Sequence, residues 1–257
     1  MIRATDLSFF SYPHRSPTLT DVSLHVPAGK VCAILGNNGA GKSTLLHCLL
    51  GRLGSETGTV EVCEREITSY GTNEFAQTVA YVPQRSETSP TMVYDAILLG
   101  RMPHFLLGSR AEDNAVVEQT IASLGLDDIA FRYLNELSGG QQQKVAIARA
   151  LATQPKVLIL DELTSSLDVK NQAEVLALVR KAAHTHNMSV VMVVHDLTLA
   201  LNHADPLCLL HQGRSTFITP DHAHGHSDEL ANILTETFGI PIEVTQVRGR
   251  YVAVTLE

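Results

Sequence analysis

Hydrophobic and polar residues follow two different patterns along this chain, and each pattern predicts a different kind of strand. Near the start they alternate, at residues 7–9 and 22–26, and alternation is typical of antiparallel strands with one buried face. Later come three uninterrupted apolar runs, at residues 31–35, 157–160 and 190–194. Such runs predict strands that are covered on both faces, as in a parallel sheet.

Each apolar run ends at polar residues that could carry chemistry. A glycine-rich loop follows the first run, Asp161 and Glu162 follow the second, and His195 follows the third. In open α/β sheets, ligands bind beyond the carboxyl ends of the strands. We therefore expect these polar groups to meet at one site.

Between the strands the pattern is largely helical. Apolar residues recur at helical spacing over residues 93–99, 112–124 and 141–151, which predicts a helical subdomain inserted at about residues 85–152. A further helix is expected at residues 175–184. After Gly213 the chain becomes irregular up to residues 230–238, and a last alternation of apolar and polar residues follows around residues 251–256. The predicted fold class is α/β, with a mostly parallel sheet, an N-terminal antiparallel β subdomain and the inserted helical subdomain.

Composition narrows the class of protein. The formal net charge of −8 at pH 7 argues against broad nucleic-acid binding, which needs a basic face. The four scattered cysteines form no C-x-x-C pair, which favours buried thiols in a reducing compartment over a metal cage or a disulfide framework. No apolar stretch approaches the roughly 18 to 20 residues of a membrane span, and the first residues lack the apolar core of a signal peptide. We therefore expect a cytosolic protein.

The glycine-rich loop has the complete pattern of a phosphate-binding loop. Leu35 to Thr44 read L-G-N-N-G-A-G-K-S-T, in which three glycines let backbone N–H groups wrap a polyphosphate at the start of a helix. The residues Lys42 and Ser43 then occupy the positions that contact the β- and γ-phosphates and Mg²⁺, respectively. The alternative is a glycine-rich turn that binds nothing.

The acidic pair and a second glycine-rich helix start are the other candidate features. Asp161 is expected to orient Mg²⁺, and Glu162 to polarise the attacking water; otherwise the pair only caps a helix. Ser138 and Gln141 have the spacing of a capping box, and the two glycines between them weaken a helix by up to roughly 1 kcal/mol each relative to alanine. That cost is tolerable where bare N–H groups must approach an anion, although a purely structural cap remains the alternative.

In this order the motifs resemble those of the ABC ATPase family, and the resemblance runs through almost the whole chain. Residues 36–44 look like its Walker A loop, Gln84 like its Q-loop glutamine, and residues 137–141 like its signature motif. Residues 157–162 are similar to its Walker B strand, residues 166–168 to its D-loop, and His195 to its switch histidine. On this basis residues 1–225 are predicted to form the ABC ATPase domain and residues 226–257 a short C-terminal extension.

The resemblance implies specific residues for each role. The catalytic residues would be Glu162, His195 and Lys42, and the Mg²⁺ ligands Ser43, Gln84 and Asp161. The residues implied to bind ATP are Tyr12, Gly36, Asn37, Asn38, Gly39, Ala40, Gly41, Lys42, Ser43, Thr44, Gln84, Ser138, Gly139, Gly140, Gln141, Asp161 and Asp168.

The resemblance also implies partners and a mechanism. Two copies would face each other head to tail, with each ATP between the Walker A loop of one and the signature helix of the other, where Ser138 and its neighbouring amides grip the γ-phosphate. His195 would contact the same phosphate, although a lone histidine after a strand is more often structural. Tyr12 would stack on adenine, with Phe9 and Phe10 as competitors and the hydrophobic core as the alternative for all three. Leu163 stands where the family usually has proline, a change that removes no ligand or charge.

Two further segments indicate the kind of ABC protein. Gly100-Arg101-Met102-Pro103-His104 resembles the G-R-x-P-H segment of ATPases that serve importers of iron-siderophore, haem and cobalamin chelates, and residues 238–244 resemble their C-terminal segment. This implies an ATPase on the cytoplasmic side of the plasma membrane, peripheral to transmembrane permease subunits and served indirectly by a substrate-binding protein. The alternative for Arg101 and His104 is that they terminate and cap a helix.

Other interpretations stay open at this point. The protein could serve an importer of zinc, manganese or an oxyanion, or an exporter, or it could be a non-transport ABC ATPase that acts on nucleic acid or ribosomes. The last class tends to carry coiled coils, fused ATPase units or basic extensions, which this acidic chain lacks. Four histidines, at positions 211, 222, 224 and 226, could bind metal, but a solvated loop explains them more simply.

Overall fold

The structure is a computed structural model, and it describes residues 1–11, 17–84, 89–105, 111–162, 168–218 and 227–256. Within these ranges it consists of two main sheets, a group of helices inserted between strands of the second sheet, and a C-terminal helix with a two-stranded hairpin.

The first sheet is antiparallel, as the alternating residues predict. Its strands are β1 (Ile2–Phe9), β2 (Leu19–Val26), β4 (Thr57–Val62) and β5 (Arg65–Glu66), in the order β2-β1-β4-β5. Every second or third side chain of β2 is fully buried and the others are partly or fully exposed. The buried side chains form one apolar cluster with the strands and helix beneath them.

The second sheet has six strands, and it confirms the parallel prediction. Its strands are β3 (Val31–Leu35), β6 (Val79–Val82), β7 (Val157–Leu160), β8 (Ser189–Val193), β9 (Leu207–His211) and β10 (Arg214–Ile218), in the order β10-β9-β3-β8-β7-β6. Only the edge pair β9–β10 is antiparallel. All residues of β3, β7 and β8 are buried, because the sheet is covered on both faces.

Eight α-helices lie within the described ranges. They are α1 (Lys42–Leu49), α2 (Thr72–Thr78), α3 (Val93–Leu98), α4 (Ala111–Ser123), α5 (Gly139–Ala152), α6 (Val169–Thr185), α7 (Leu197–His203) and α8 (Ser227–Phe238). Short 3-10 turns occur at Ile67–Ser69, Leu99–His104, Asp127–Ile129 and Leu134–Glu136. The helix expected at residues 175–184 begins earlier than predicted, because Asp168 caps it: the Asp168 side chain accepts a hydrogen bond from the Asn171 amide at 2.8 Å.

The inserted helices have an apolar core of their own. Its buried members all lie between Val93 and Ala152, on α3, α4, α5 and the turns between them. A separate cluster fills the space between the parallel sheet, α6, α7 and α8. The division of the chain at residue 225 stays a prediction.

The chain ends in an antiparallel hairpin of β11 (Ile242–Val247) and β12 (Arg250–Thr255). The hairpin packs against α7 and α8 through Ile242, Val244 and Tyr251. None of the helices in the described ranges combines the length and the apolar character that crossing a membrane requires.

Candidate active site

The phosphate loop connects β3 to α1, as the motif predicts. Gly36, Gly39 and Gly41 have φ values of 152°, 81° and 103°, which favour glycine over any side chain. A Cβ on Gly36 would lie 2.1 Å from the Leu210 carbonyl oxygen, so the loop passes β9 too closely for any other residue. The conformation of the loop at this position therefore requires glycine.

Lys42 begins α1 and folds back over the loop. Its ammonium donates hydrogen bonds to the carbonyl oxygens of Gly36 at 2.8 Å and Asn37 at 3.1 Å, and the residue is only 6% exposed. Burial lowers the pKa of this ammonium, and the carboxylates of Glu162 and Asp161 act in the opposite direction. The positive charge of Lys42 therefore lies within the field of both acids.

Asp161 follows β7 directly and is held from the neighbouring strand. The Tyr81 hydroxyl on β6 donates to Asp161 Oδ2 at 3.2 Å, and the Arg52 guanidinium lies 4.6 Å from the centre of the Tyr81 ring. Burial raises the pKa of the Asp161 carboxyl, while the hydrogen bond from Tyr81 lowers it. The carboxyl is thus positioned at the sheet edge by a partner that motif spacing did not reveal.

Glu162 contacts two other predicted site residues. One carboxylate oxygen accepts a hydrogen bond from the Gln84 amide, and the other lies 2.9 Å from His195 Nε2. The Glu162 backbone has φ 47°, which is uncommon for a residue with a side chain. Because β6, β7 and β8 are adjacent, the residues that follow them converge as expected.

The second glycine-rich helix start has the geometry that its spacing predicts. Ser138 caps α5: its hydroxyl accepts from the Gln141 amide at 3.4 Å, and the Gln141 side chain accepts from the Ser138 amide at 3.0 Å. A Cβ on Gly139 would meet nothing within 4 Å, whereas one on Gly140 would lie 2.9 Å from Asn171. The first turn of α5 is therefore open beside Gly139 and packed against α6 beside Gly140.

The remaining predicted residues lie in the phosphate loop, on the first turn of α1 and at the start of α6. Ser43 is exposed and Thr44 half-buried on the first turn of α1, and Asn38 and Ala40 lie in the loop. The Asn37 side-chain amide donates to the Phe238 carbonyl at 3.4 Å, which links the phosphate loop to the end of α8. Asp168 acts here as the cap of α6.

Some predictions fall outside the described residues. These are Tyr12, the position of Leu163, residues 166 and 167 of the D-loop segment, and the histidines at positions 222, 224 and 226. His211 ends β9. No group of three or more potential metal-ligating side chains occurs within the ranges that the structure describes.

The G-R-x-P-H segment forms the 3-10 turn Leu99–His104. Arg101 and His104 do cap a helix, but it is α5 and not the preceding α3: Arg101 Nη1 donates to the Ala152 carbonyl at 2.8 Å, and His104 Nε2 lies 3.0 Å from the Thr153 carbonyl. Pairing between segments so distant in sequence could not be read from motif spacing.

Comparison with known proteins assigns the chain to a family. The sequence profile of the ABC transporter family matches residues 19–165. An uncharacterized ABC transporter ATP-binding protein of Methanocaldococcus jannaschii is 42% identical over 213 residues, which cover 83% of this chain and 84% of that protein. A hemin import ATP-binding protein of Thermobifida fusca is 35% identical, with 91% of this chain and 81% of that protein covered.

Solved structures agree on the fold. A structure of an inward-facing ABC transporter assigned to the metal-chelate type superposes with a TM-score of 0.83 at 30% identity, covering 100% of this chain and 97% of that chain. A dimeric ATP-binding cassette in a post-hydrolysis state, bound to ADP and Pi, gives a TM-score of 0.73 at 24% identity and covers 85% and 98% of the two chains. The chain belongs to the ABC transporter family, and it is an ATP-binding cassette with ATPase activity.

Proposed function

We propose that this protein is the ATP-hydrolysing subunit of an ABC importer for metal chelates of the iron-siderophore, haem or cobalamin type. The observation that carries the hydrolytic part is the junction of Gln84, Glu162 and His195 beside the phosphate loop. The importer part is supported by the resemblance to hemin import proteins and to the metal-chelate type transporter.

In the proposed mechanism the phosphate loop holds the polyphosphate and Glu162 acts as general base. Lys42 would exchange its bonds to the Gly36 and Asn37 carbonyls for bonds to the β- and γ-phosphates. Glu162 would take a proton from the attacking water, and His195 would hold the γ-phosphate. Glu162 Oε1 lies 2.9 Å from His195 Nε2, so a movement of Glu162 would change the surroundings of both residues.

Three of the predicted site residues offer oxygen atoms of the kind that Mg²⁺ binds. The Ser43 hydroxyl, the Asp161 carboxylate and the Gln84 amide oxygen are the hard ligands that this cation prefers. When bound, Mg²⁺ supplies charge neutralisation at the β- and γ-phosphates. Tyr81 would keep the Asp161 carboxylate turned toward that position.

The start of α5 supports a head-to-tail dimer of two copies. Ser138 and Gly139 are exposed, and a helix start with free N–H groups binds anions. An exposed anion-binding helix start is expected where a second molecule supplies the phosphate. Each ATP would then lie between the Lys42 loop of one copy and Ser138 of the other.

The helical insertion would dock on the permease at the cytoplasmic face of the membrane. Leu99 and Met102 lie within the segment expected to make this contact, and they are 49% and 58% exposed. Exposed apolar side chains on a surface of this kind fit burial against a partner.

The general-base assignment is tested by Glu162→Gln. The variant should bind ATP and form a stable dimer in size-exclusion chromatography with little turnover, because the amide cannot accept the proton. Hydrolysis at the parent rate would refute the assignment.

The importer assignment is tested by co-purification with the permease encoded beside this gene and by uptake of haem, siderophore and cobalamin into proteoliposomes. Export by the reconstituted complex, or no association with the permease, would contradict it.

A further inference from the structure

We propose that Arg101 is a positioning residue for the ATPase site: it fixes the far end of α5 and thereby sets where Ser138 is presented to the partner's ATP. This rests on the proposed head-to-tail dimer. In this proposal Arg101 acts on the site through α5, and it belongs neither to the phosphate loop nor to the group formed by Gln84, Glu162 and His195.

Arg101 is attached to both α4 and α5 by buried hydrogen bonds. Arg101 is 7% exposed and its Nε donates to Asp113 Oδ1 on α4 at 2.9 Å. Its Nη1 donates to the Ala152 carbonyl at 2.8 Å and to Gln154 Oε1 at 3.2 Å. The planar guanidinium holds these acceptors in a fixed geometry that an ammonium cannot reproduce. One side chain therefore joins α4 to the C-terminal end of α5.

The rest of the G-R-x-P-H segment is attached to the same end of α5. Gly100 lies so close to α5 that an added Cβ would be 2.0 Å from the Arg149 carbonyl oxygen. The Thr153 hydroxyl donates to the Gly100 carbonyl at 2.9 Å, and His104 Nε2 lies 3.0 Å from the Thr153 carbonyl. The glycine, the arginine and the histidine of this motif therefore all contact the end of α5.

The region around this end of α5 is also bonded to α2 and to the strand that follows. The Gln77 side chain on α2 donates to the Pro103 carbonyl at 2.7 Å, and the Lys156 amide donates to the Thr78 carbonyl at 2.8 Å. Residue 156 leads directly into β7 and hence to Asp161 and Glu162. The contacts of Gly100, Arg101 and His104 with the end of α5, here called the clamp, thus lie where the inserted helices rejoin the sheet.

The consequence for Ser138 follows from the length of α5. The helix has 14 residues, so it is a rod about 21 Å long. A tilt of about 5° at the clamped end would move Ser138 by about 1.8 Å, and a misplacement of about 1 Å can cost about 100-fold in a site that depends on geometry. Loss of the clamp should therefore weaken the shared ATP site without touching nucleotide binding by the loop.

The experiment uses the full chain with Glu162→Gln, which traps the ATP-bound dimer. Arg101→Met leaves the buried Asp113 charge without this partner, so we pair it with the double variant Arg101→Met/Asp113→Asn and with Arg101→Lys. Arg65→Met is the matched control, since it removes an arginine that pairs with the exposed Glu74 at 2.5 Å. Circular dichroism, binding of a fluorescent ATP analogue and ATP-dependent dimerisation by analytical ultracentrifugation are measured for each.

We expect Arg101→Met/Asp113→Asn to bind the analogue like the parent and to dimerise at least about tenfold more weakly, with Arg101→Lys in between. Arg65→Met should match the parent in all three measurements. Parent-like dimerisation by a folded Arg101→Met/Asp113→Asn protein would overturn the proposal, as would equal losses in analogue binding and in dimerisation. Should the double variant be unfolded, parent-like dimerisation of Arg101→Lys would overturn it. If the Glu162→Gln parent itself fails to dimerise with ATP, the proposed dimer fails first and this inference with it.

Discussion

The substitution Gly36→Ala should damage the phosphate loop far more than the same substitution three residues later. At Gly36 the backbone has φ 152° and an added Cβ would lie 2.1 Å from the Leu210 carbonyl oxygen. An ordinary carbon–oxygen contact is about 3.3 Å or longer, so the loop and β9 must separate by about 1.2 Å. At Gly39 the φ is 81°, and an added Cβ would meet nothing within 4 Å.

The two variants separate backbone strain from steric overlap. A left-handed φ costs a residue with a side chain roughly 1–2 kcal/mol, which is the whole expected loss for Gly39→Ala. Gly36→Ala has a similar backbone cost and adds roughly 1–3 kcal/mol for overpacking against a buried strand. The expected losses are therefore about 1–2 and about 2–5 kcal/mol, respectively.

Stability is measured by urea unfolding without nucleotide, followed by circular dichroism, and ATP affinity with a fluorescent analogue. Because a displaced loop no longer aims its N–H groups at the phosphates, Gly36→Ala should also weaken binding at least about tenfold. Equal unfolding free energies for the two variants would refute the steric reasoning.

Three other properties can be predicted from single residues. Tyr81→Phe removes the hydroxyl that donates to Asp161, so the Mg²⁺ concentration that half-saturates nucleotide binding should rise a few-fold, which corresponds to a loss of about 1 kcal/mol in binding free energy. An unchanged Mg²⁺ titration would contradict this. A thiol reagent at neutral pH should modify Cys63, the exposed cysteine, and spare the buried ones, since burial raises the pKa of Cys208 to about 12. Four modified thiols per chain are expected in denaturant, and four in the native protein would contradict this prediction. Burial lowers the pKa of His203 in the folded protein, so the unfolded protein binds a proton at this residue more readily. The contribution of His203 to the free energy of unfolding is therefore fully present above pH 6.5 and should decline below it. His203→Gln should reduce that decline in urea titrations at several pH values, and an unchanged dependence on pH would exclude the residue.

The sequence predicts the parts of this fold that depend on local pattern. The buried strands β3, β7 and β8 follow from uninterrupted apolar runs, and the start of α5 follows from Ser138 and Gln141. The convergence of Glu162 and His195 also follows, since parallel strands present their carboxyl ends at one edge.

Long-range pairing lies beyond such patterns. The strand β6 is a short apolar stretch that includes the half-buried Tyr81, and its residues alone do not say which strand it lies beside. The contact of Tyr81 with Asp161 depends on β6 lying beside β7, which no spacing specifies. In the same way, an arginine such as Arg101 is typical of a helix cap, but the carbonyl that it caps, that of Ala152, lies 51 residues further along the chain.

The state of Glu162 has a consequence for how the site must work. Both of its carboxylate oxygens are engaged, one by Gln84 and the other by His195. A carboxylate oxygen that already faces such a partner is hindered from approaching the attacking water. In the proposed mechanism Glu162 must therefore release at least one of these partners before it takes a proton from water, and each partner follows a neighbouring strand. Nucleotide binding that draws Gln84 or His195 toward the phosphate would therefore free the base at the moment when the substrate is in place.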